Sequence, residues 1–275
     1  MKIILKYLYI YLVKFKYEFK IFTNSMSNFI IGVLAFLIIQ ISGLLFIGIL
    51  YKNTSSIDEF DVYQMLALYG FSQLTKGIDH FYSDFLWNFS SNGVTRGLYD
   101  KYLVRPLNPL FQIIIEKVQF DAFGEIITGI SLYVYAIIKL KITINFILIL
   151  KTLFFIIIGV IVYTCLKVIA TSSVFYIKKG FSVLKNVYSI STYAKYPITI
   201  YPKFMQIILT YIFAYSLTAY YPIKYTLLEP LNIYTLLEPL NIYTFIKLII
   251  IITVLIIATK IIWKQGEKKY ESSGS

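Results

Sequence analysis

The chain has 275 residues, of which 58% are hydrophobic and only 15% charged, with a mean hydropathy of +0.72. A soluble chain carries about 25% charged residues, so this composition excludes a soluble protein and predicts an all-α polytopic membrane protein. The net charge of +12 rests on 26 basic residues, of which only Arg96 and Arg105 are arginines; lysines that punctuate apolar runs set membrane topology, and no nucleic-acid partner is expected.

In chain order, residues 1–21 come first. On a helical wheel Lys2, Lys6, Lys16 and Lys20 gather on one face, and Ile4, Leu8, Tyr11, Phe15 and Phe19 on the opposite one. That is the pattern of an amphipathic helix lying in the interface, its lysines toward anionic membrane lipid. Residues 1–27 are therefore expected to be a cytoplasmic amphipathic helix. No cleavable leader is expected, because Lys14, Lys16 and Lys20 interrupt the apolar run and no small-residue cleavage site follows.

Six apolar windows follow at 28–50, 62–82, 119–138, 143–166, 203–222 and 243–263, each close to the ~20 residues that cross a bilayer. They define a six-span transmembrane domain over 28–263, and the fourth is expected to continue toward Tyr176. Residues 264–275 form a tail whose last residues, Ser272-Ser273-Gly274-Ser275, read as an appended linker. Segments 1–27, 90–118, 177–202 and 264–275 hold 16 basic residues, against 4 in 51–61, 139–142 and 223–242. By the positive-inside rule the first group, with both termini, faces the cytoplasm.

The second window ends in a polar set, Gln73, Lys76, Asp79 and His80, with Asp84 beyond it. Ionisable groups in a bilayer are costly and mark a transport path or a protein contact. An interfacial anchor is the competing reading, since 20 residues from Val62 already exhaust the ~30 Å hydrocarbon thickness.

The cytoplasmic segment 90–118 contains a short predicted helix over 98–105, with Leu98 and Tyr102 on one face. Pro106 stops it and Pro109 repeats the stop, because proline lacks the amide hydrogen and clashes with the preceding turn. The outer segment 223–242 carries a tandem repeat, nine residues from Tyr225 to Ile233 followed by the same nine at 234–242. Pro230 and Pro239 prevent one continuous helix there. Either the repeat forms a pair of short outer helices, or it is a duplication tolerated in a loop. Tyr221, Pro222, Glu229 and Glu238 are the outer-gate candidates.

Catalytic chemistry finds no support. Gly-x-x-x-x-Gly-Lys-Ser/Thr is absent, so the chain holds no nucleotide by that route. Gly70-Phe71-Ser72 lacks the second glycine of a nucleophile elbow, and His80 lies eight residues, about 12 Å of helix, from Ser72. The single histidine and single cysteine, Cys165, leave no basis for a disulfide or a His/Cys metal site. No enzyme activity, cofactor or metal is expected in the chain itself.

At Gly97, Asp100, Leu103, Arg105, Pro106, Pro109 and Leu110 the loop resembles the pattern G-x-x-D-x-x-L-x-R-P-x-x-P-L of six-span bacterial permeases in the type-2 ABC exporter class. A second block agrees, Tyr196-Pro197-Ile198-Thr199-Ile200-Tyr201 with Tyr220-Tyr221-Pro222. The resemblance implies a permease subunit of the bacterial cytoplasmic membrane, paired with an identical or sister permease. It also implies two copies of a separate ABC ATPase subunit that bind ATP and Mg. The loop would act as the coupling helix, through Gly97, Leu98, Asp100, Lys101, Leu103, Arg105, Pro106 and Pro109. Spans one, two and five would line the path. Phe213-Ala214-Tyr215 stands where many relatives carry proline, which predicts a straighter fifth span. An ion-gradient-driven carrier and a non-transporting scaffold or immunity protein are the alternatives.

Overall fold

The computed structural model describes residues 2–52, 54–57, 60–228 and 242–271. It is an all-helical bundle apart from one minute hairpin, β1 (Ser56–Ile57) with β2 (Phe60–Asp61). The helices are α1 (Lys2–Asn24), α2 (Met26–Leu50), α3 (Val62–Ser83), α4 (Phe85–Asn92), α5 (Asp100–Leu103), α6 (Pro109–Ile114) and α7 (Phe123–Lys139). They continue with α8 (Phe146–Thr171), α9 (Val174–Ile177), α10 (Phe181–Ile190), α11 (Lys203–Ile207), α12 (Tyr220–Ile223) and α13 (Ile242–Lys268).

Local chemistry sets several of these boundaries. Asp61 caps α3 by accepting from the Gln64 amide at 2.8 Å, while Gln64 Oε1 accepts from the Asp61 amide at 2.8 Å, a reciprocal capping box. Asn145 caps α8 through the Leu148 amide at 2.8 Å. Asn108 likewise caps α6 through the Phe111 amide at 3.0 Å, with Pro109 at the first helical position. Pro109 therefore starts a helix instead of repeating a stop, because its missing amide hydrogen is one that a first turn leaves unbonded anyway.

Four stretches are long and apolar enough to cross a membrane: Phe29–Leu50, Phe120–Lys139, Phe146–Ile177 and Ile246–Lys268. The third carries α8 into α9, as the apolar pattern toward Tyr176 predicts. Helix α3 is as long, 22 residues, but it bears charged groups and its inner face is buried by α7 and α8. The α3–α7 crossing is close because it is built on glycine. A Cβ on Gly129 would lie 2.6 Å from the Leu74 amide nitrogen and 2.7 Å from the Gly70 carbonyl oxygen.

The fifth predicted span is not one helix. Residues 203–212 lead to Ala214, whose φ of 53° bends the chain back, and 215–228 return as short helical turns. Tyr221 on the returning arm sits beside Thr210 and Tyr211 on the outgoing one, so the segment is a hairpin. A left-handed alanine, rather than a proline, makes the break, and the straighter exit is not found. The segment expected on the cytoplasmic side, 177–202, instead climbs the bundle. The Gly180 amide bonds to the Ser90 carbonyl and Phe181 packs on Trp87. Lys195 lies over Tyr69 and Tyr196 over Phe46, near the far ends of α3 and α2. Of the four lysines in this run, Lys195 is half-buried against the Tyr69 ring, while Lys178, Lys179 and Lys185 are exposed.

Helix α1 lies along the loop and packs its phenylalanines against Phe120. Phe15, Phe19 and Phe22 pack on Phe120, with ring centroids at 5.9, 5.9 and 4.4 Å, while Lys6, Lys16 and Lys20 are exposed. Three apolar clusters result among the described residues. The largest joins α3, α7, α8, α10, the 203–228 hairpin and α13; a second, built from Phe89, Tyr99, Tyr102, Phe175 and Trp263 among others, holds the loop; a third, of Ile47, Met65 and Tyr69, joins α2 to α3.

Candidate functional site

Two constructions stand out: a braced loop at one end of the bundle, and a buried ionic network next to it.

In the loop, Gly97 takes a φ of 61°, a conformation open to glycine, and turns the chain into α5. Tyr99 and Tyr102 are fully buried behind it. The Tyr99 hydroxyl donates to Glu267 Oε1 at 2.5 Å, and Trp263 Nε1 donates to the same oxygen at 2.8 Å. The Tyr270 hydroxyl donates to Asp100 Oδ1 at 2.9 Å. Lys101 Nζ meets Glu116 Oε1 at 2.9 Å and Lys14 Nζ meets Glu116 Oε2 at 2.6 Å. Burial by itself raises the Glu116 carboxyl, but the hydrogen bonds and charges of Lys14 and Lys101 outweigh it and leave the group below the usual carboxylate range. Gln112 Nε2 donates to the Tyr102 and Leu107 carbonyls, both at 3.1 Å. The loop is thus tied to α1, α6 and α13 together.

These ties divide the candidate contact set. Leu103, Arg105 and Pro106 are exposed, as is Val104 at 83%. Asp100 and Lys101 bond inward and hold the tip in place. Gly97 forms the turn, Leu98 is half-buried, and Pro109 opens α6.

The second construction gathers the polar set of α3. Lys167 Nζ on α8 lies 2.7 Å from Asp79 Oδ2, 3.5 Å from Asp84 Oδ1 and 3.0 Å from Ser83 Oγ. Thr164 Oγ1 donates to Asp79 Oδ1 at 2.9 Å and also bonds the Tyr82 hydroxyl. On the adjoining turn, His80 Nδ1 lies 2.7 Å from Glu125 Oε2 and Lys76 Nζ 3.5 Å from Glu125 Oε1. Tyr188 on α10 ties the two halves together. Its ring stacks on His80 at 5.4 Å, lies beneath Lys76 and Lys167 at 5.3 and 5.2 Å, and its hydroxyl reaches Asp79 Oδ2 at 3.4 Å. Further along α3, Gln73 accepts from Gln40 Nε2 at 2.8 Å and Gln40 accepts from the Tyr69 hydroxyl at 2.6 Å. Residue counting along the axis says nothing about what covers each side. Here α7, α8 and α10 cover these groups, so the charges neutralise one another inside protein.

At the opposite end Tyr221 is half-buried and stacks over Tyr225 at 6.0 Å. Pro222 is buried and its carbonyl accepts from Thr226 Oγ1 at 2.6 Å. Glu229, Glu238 and most of the tandem repeat lie outside the described residues.

Comparison with known families places these features. The model of the ABC-2 family transporter protein matches residues 37–274, from α2 through the tail. The chain belongs to the ABC-2 transporter family. No curated protein and no solved structure matches it. The match makes this chain a multi-pass membrane permease of an ABC transporter, a class that works with an ABC ATPase.

In this ABC-2 permease several residues central to the geometry were missed by sequence reading: Glu116, Glu125, Lys167, Tyr188, Glu267 and Tyr270. Glu125 and Lys167 carried a usable signal, each being a charge in a long apolar run and so in need of a partner. The others had none, because a tyrosine or glutamate near a helix end is ordinary in any membrane protein.

Proposed function

We propose that the chain is the permease subunit of an ATP-driven ABC exporter in a bacterial cytoplasmic membrane. Two copies, or one copy with a sister permease, form the path. Two ATPase subunits bind ATP and Mg, and this chain hydrolyses nothing itself. The observation that carries the reading is the exposed tip Leu103-Val104-Arg105-Pro106, held on a platform tied to three helices. An apolar and cationic tip gains by being covered, and a rigid base transmits displacement to α1 and α13 instead of absorbing it.

In this reading the chain crosses six times, through α2, α3, α7, α8, the 181–201 run and α13. Residues 203–228 form a re-entrant hairpin between the last two crossings. Both termini and the tip face the cytoplasm, with α1 on the inner leaflet. Gln40, Gln73 and the hairpin are then nearest the path, and Tyr221 and Pro222 lie toward the outer exit.

Gentle detergent extraction of the tagged chain from its host, with mass spectrometry of what co-purifies, tests this. A stoichiometric subunit with a phosphate-binding loop is expected. A folded oligomer that brings down no ATPase even after crosslinking would put the ion-gradient carrier first.

A further inference from the structure

A cleft of about 430 Å³ opens between α8, α10, the Ala214 bend and α13. Leu166, Ile169, Val187, Phe213, Val254 and Ala258 form its walls, and the sole polar side-chain group in its lining is the Tyr211 phenol. Ile250 and Val254 at its edge are more than half exposed, at 55% and 59%. The cleft therefore opens on the outside of the bundle and not into its interior. At one mouth stands a cation: Lys247 Nζ lies 5.0 Å from the centre of the Tyr211 ring. The α13 wall of the cleft, from Ile250 to Ala258, rises about 12 Å, and Lys247 stands about 5 Å beyond it, against the ~15 Å hydrocarbon depth of one leaflet.

We propose that this cleft binds one acyl chain of an anionic lipid, whose headgroup phosphate rests on Lys247 and Tyr211. An apolar wall that spans most of one leaflet suits a hydrocarbon chain, since filling it restores contacts that its lining otherwise lacks. The cation and phenol at the mouth select the sign of the headgroup, since a lysine at the membrane surface favours anionic lipid. The site is distinct from the tip and from the buried network, and no ATPase is needed to observe it.

The test uses the full chain in phosphatidylcholine vesicles doped with phosphatidylglycerol that carries a photoreactive group on its acyl chain. Adducts are expected on residues 250–258 and 211–214. Lys247→Gln, a change at an exposed side chain, should cut that labelling about fivefold. A phosphatidylcholine probe with the same chain should be unaffected. Ala258→Trp, which fills the cleft, should abolish adducts at 250–258. Equal labelling by both probes, insensitive to Lys247→Gln, would reduce the cleft to ordinary annular lipid. A disulfide between copies of Val254→Cys would mean a second copy covers it. Either result overturns the proposal.

Discussion

Lys167 Nζ and Asp79 Oδ2 lie 2.7 Å apart with neither side chain exposed, joining the last turns of α8 and α3. Two charges withdrawn from water are tolerable only together. Lys167→Met should therefore lower stability by about 3–5 kcal/mol, because Asp79 is left charged and unpaired. Asp79→Asn in the Lys167→Met background should recover most of the loss. Unfolding midpoints of the three variants in one detergent check the coupling, and additive losses would show that the pair is not a unit.

Glu116 receives Lys14 from α1 and Lys101 from the loop, and its carboxyl is held below the usual range. A depressed carboxylate stabilises the fold fully above its unfolded pKa, about 4.3, and that contribution is lost as pH falls through the lower folded value. Hydrogen exchange in α1 and residues 100–116 should hence rise as pH drops below about 4 relative to the bundle core. Glu116→Gln should loosen the same region at neutral pH by about 0.5–1 kcal/mol, since both lysines are partly exposed.

Gly129 touches the backbone of α3 at Gly70 and Leu74. Gly129→Leu has no space to occupy without separating α3 from α7, at a cost of about 1–3 kcal/mol. The separation should also draw Glu125 away from His80 and Lys76. Reduced thermal stability, with crosslinking between cysteines placed on α3 and α7 lost, is the expected outcome.

Val104 and Leu103 are exposed while Tyr99 and Tyr102 beside them are fully buried. Leu103→Asp with Val104→Asp should abolish co-purification of the ATPase and leave the unfolding midpoint unchanged. Asp100→Ala, by contrast, should act through its bond to Tyr270, lowering both. Equal behaviour of the two variants would mean that the tip is not the contact.

The sequence by itself determined the solvent and much of the chain order. Long apolar windows at 28–50, 119–138, 143–166 and 243–263 each match a helix long and apolar enough to cross, because a continuous apolar stretch of about 20 residues satisfies its backbone in hydrocarbon within itself only as a helix. The amphipathic face of α1 was legible from its wheel for the same local reason. What lay beyond reach was decided by neighbours. Whether 203–222 was one span or a hairpin turned on the conformation of Ala214, a residue with no propensity to announce a bend. Lys195 counted as a cytoplasmic charge until the structure laid it against the Tyr69 ring of α3. The partners of Asp79 and His80 were out of reach because only the tertiary structure brings Lys167, Glu125 and Tyr188 to them from 109 or fewer residues away along the chain. Burial of charge is a property of contacts between segments, and no window along one segment contains it.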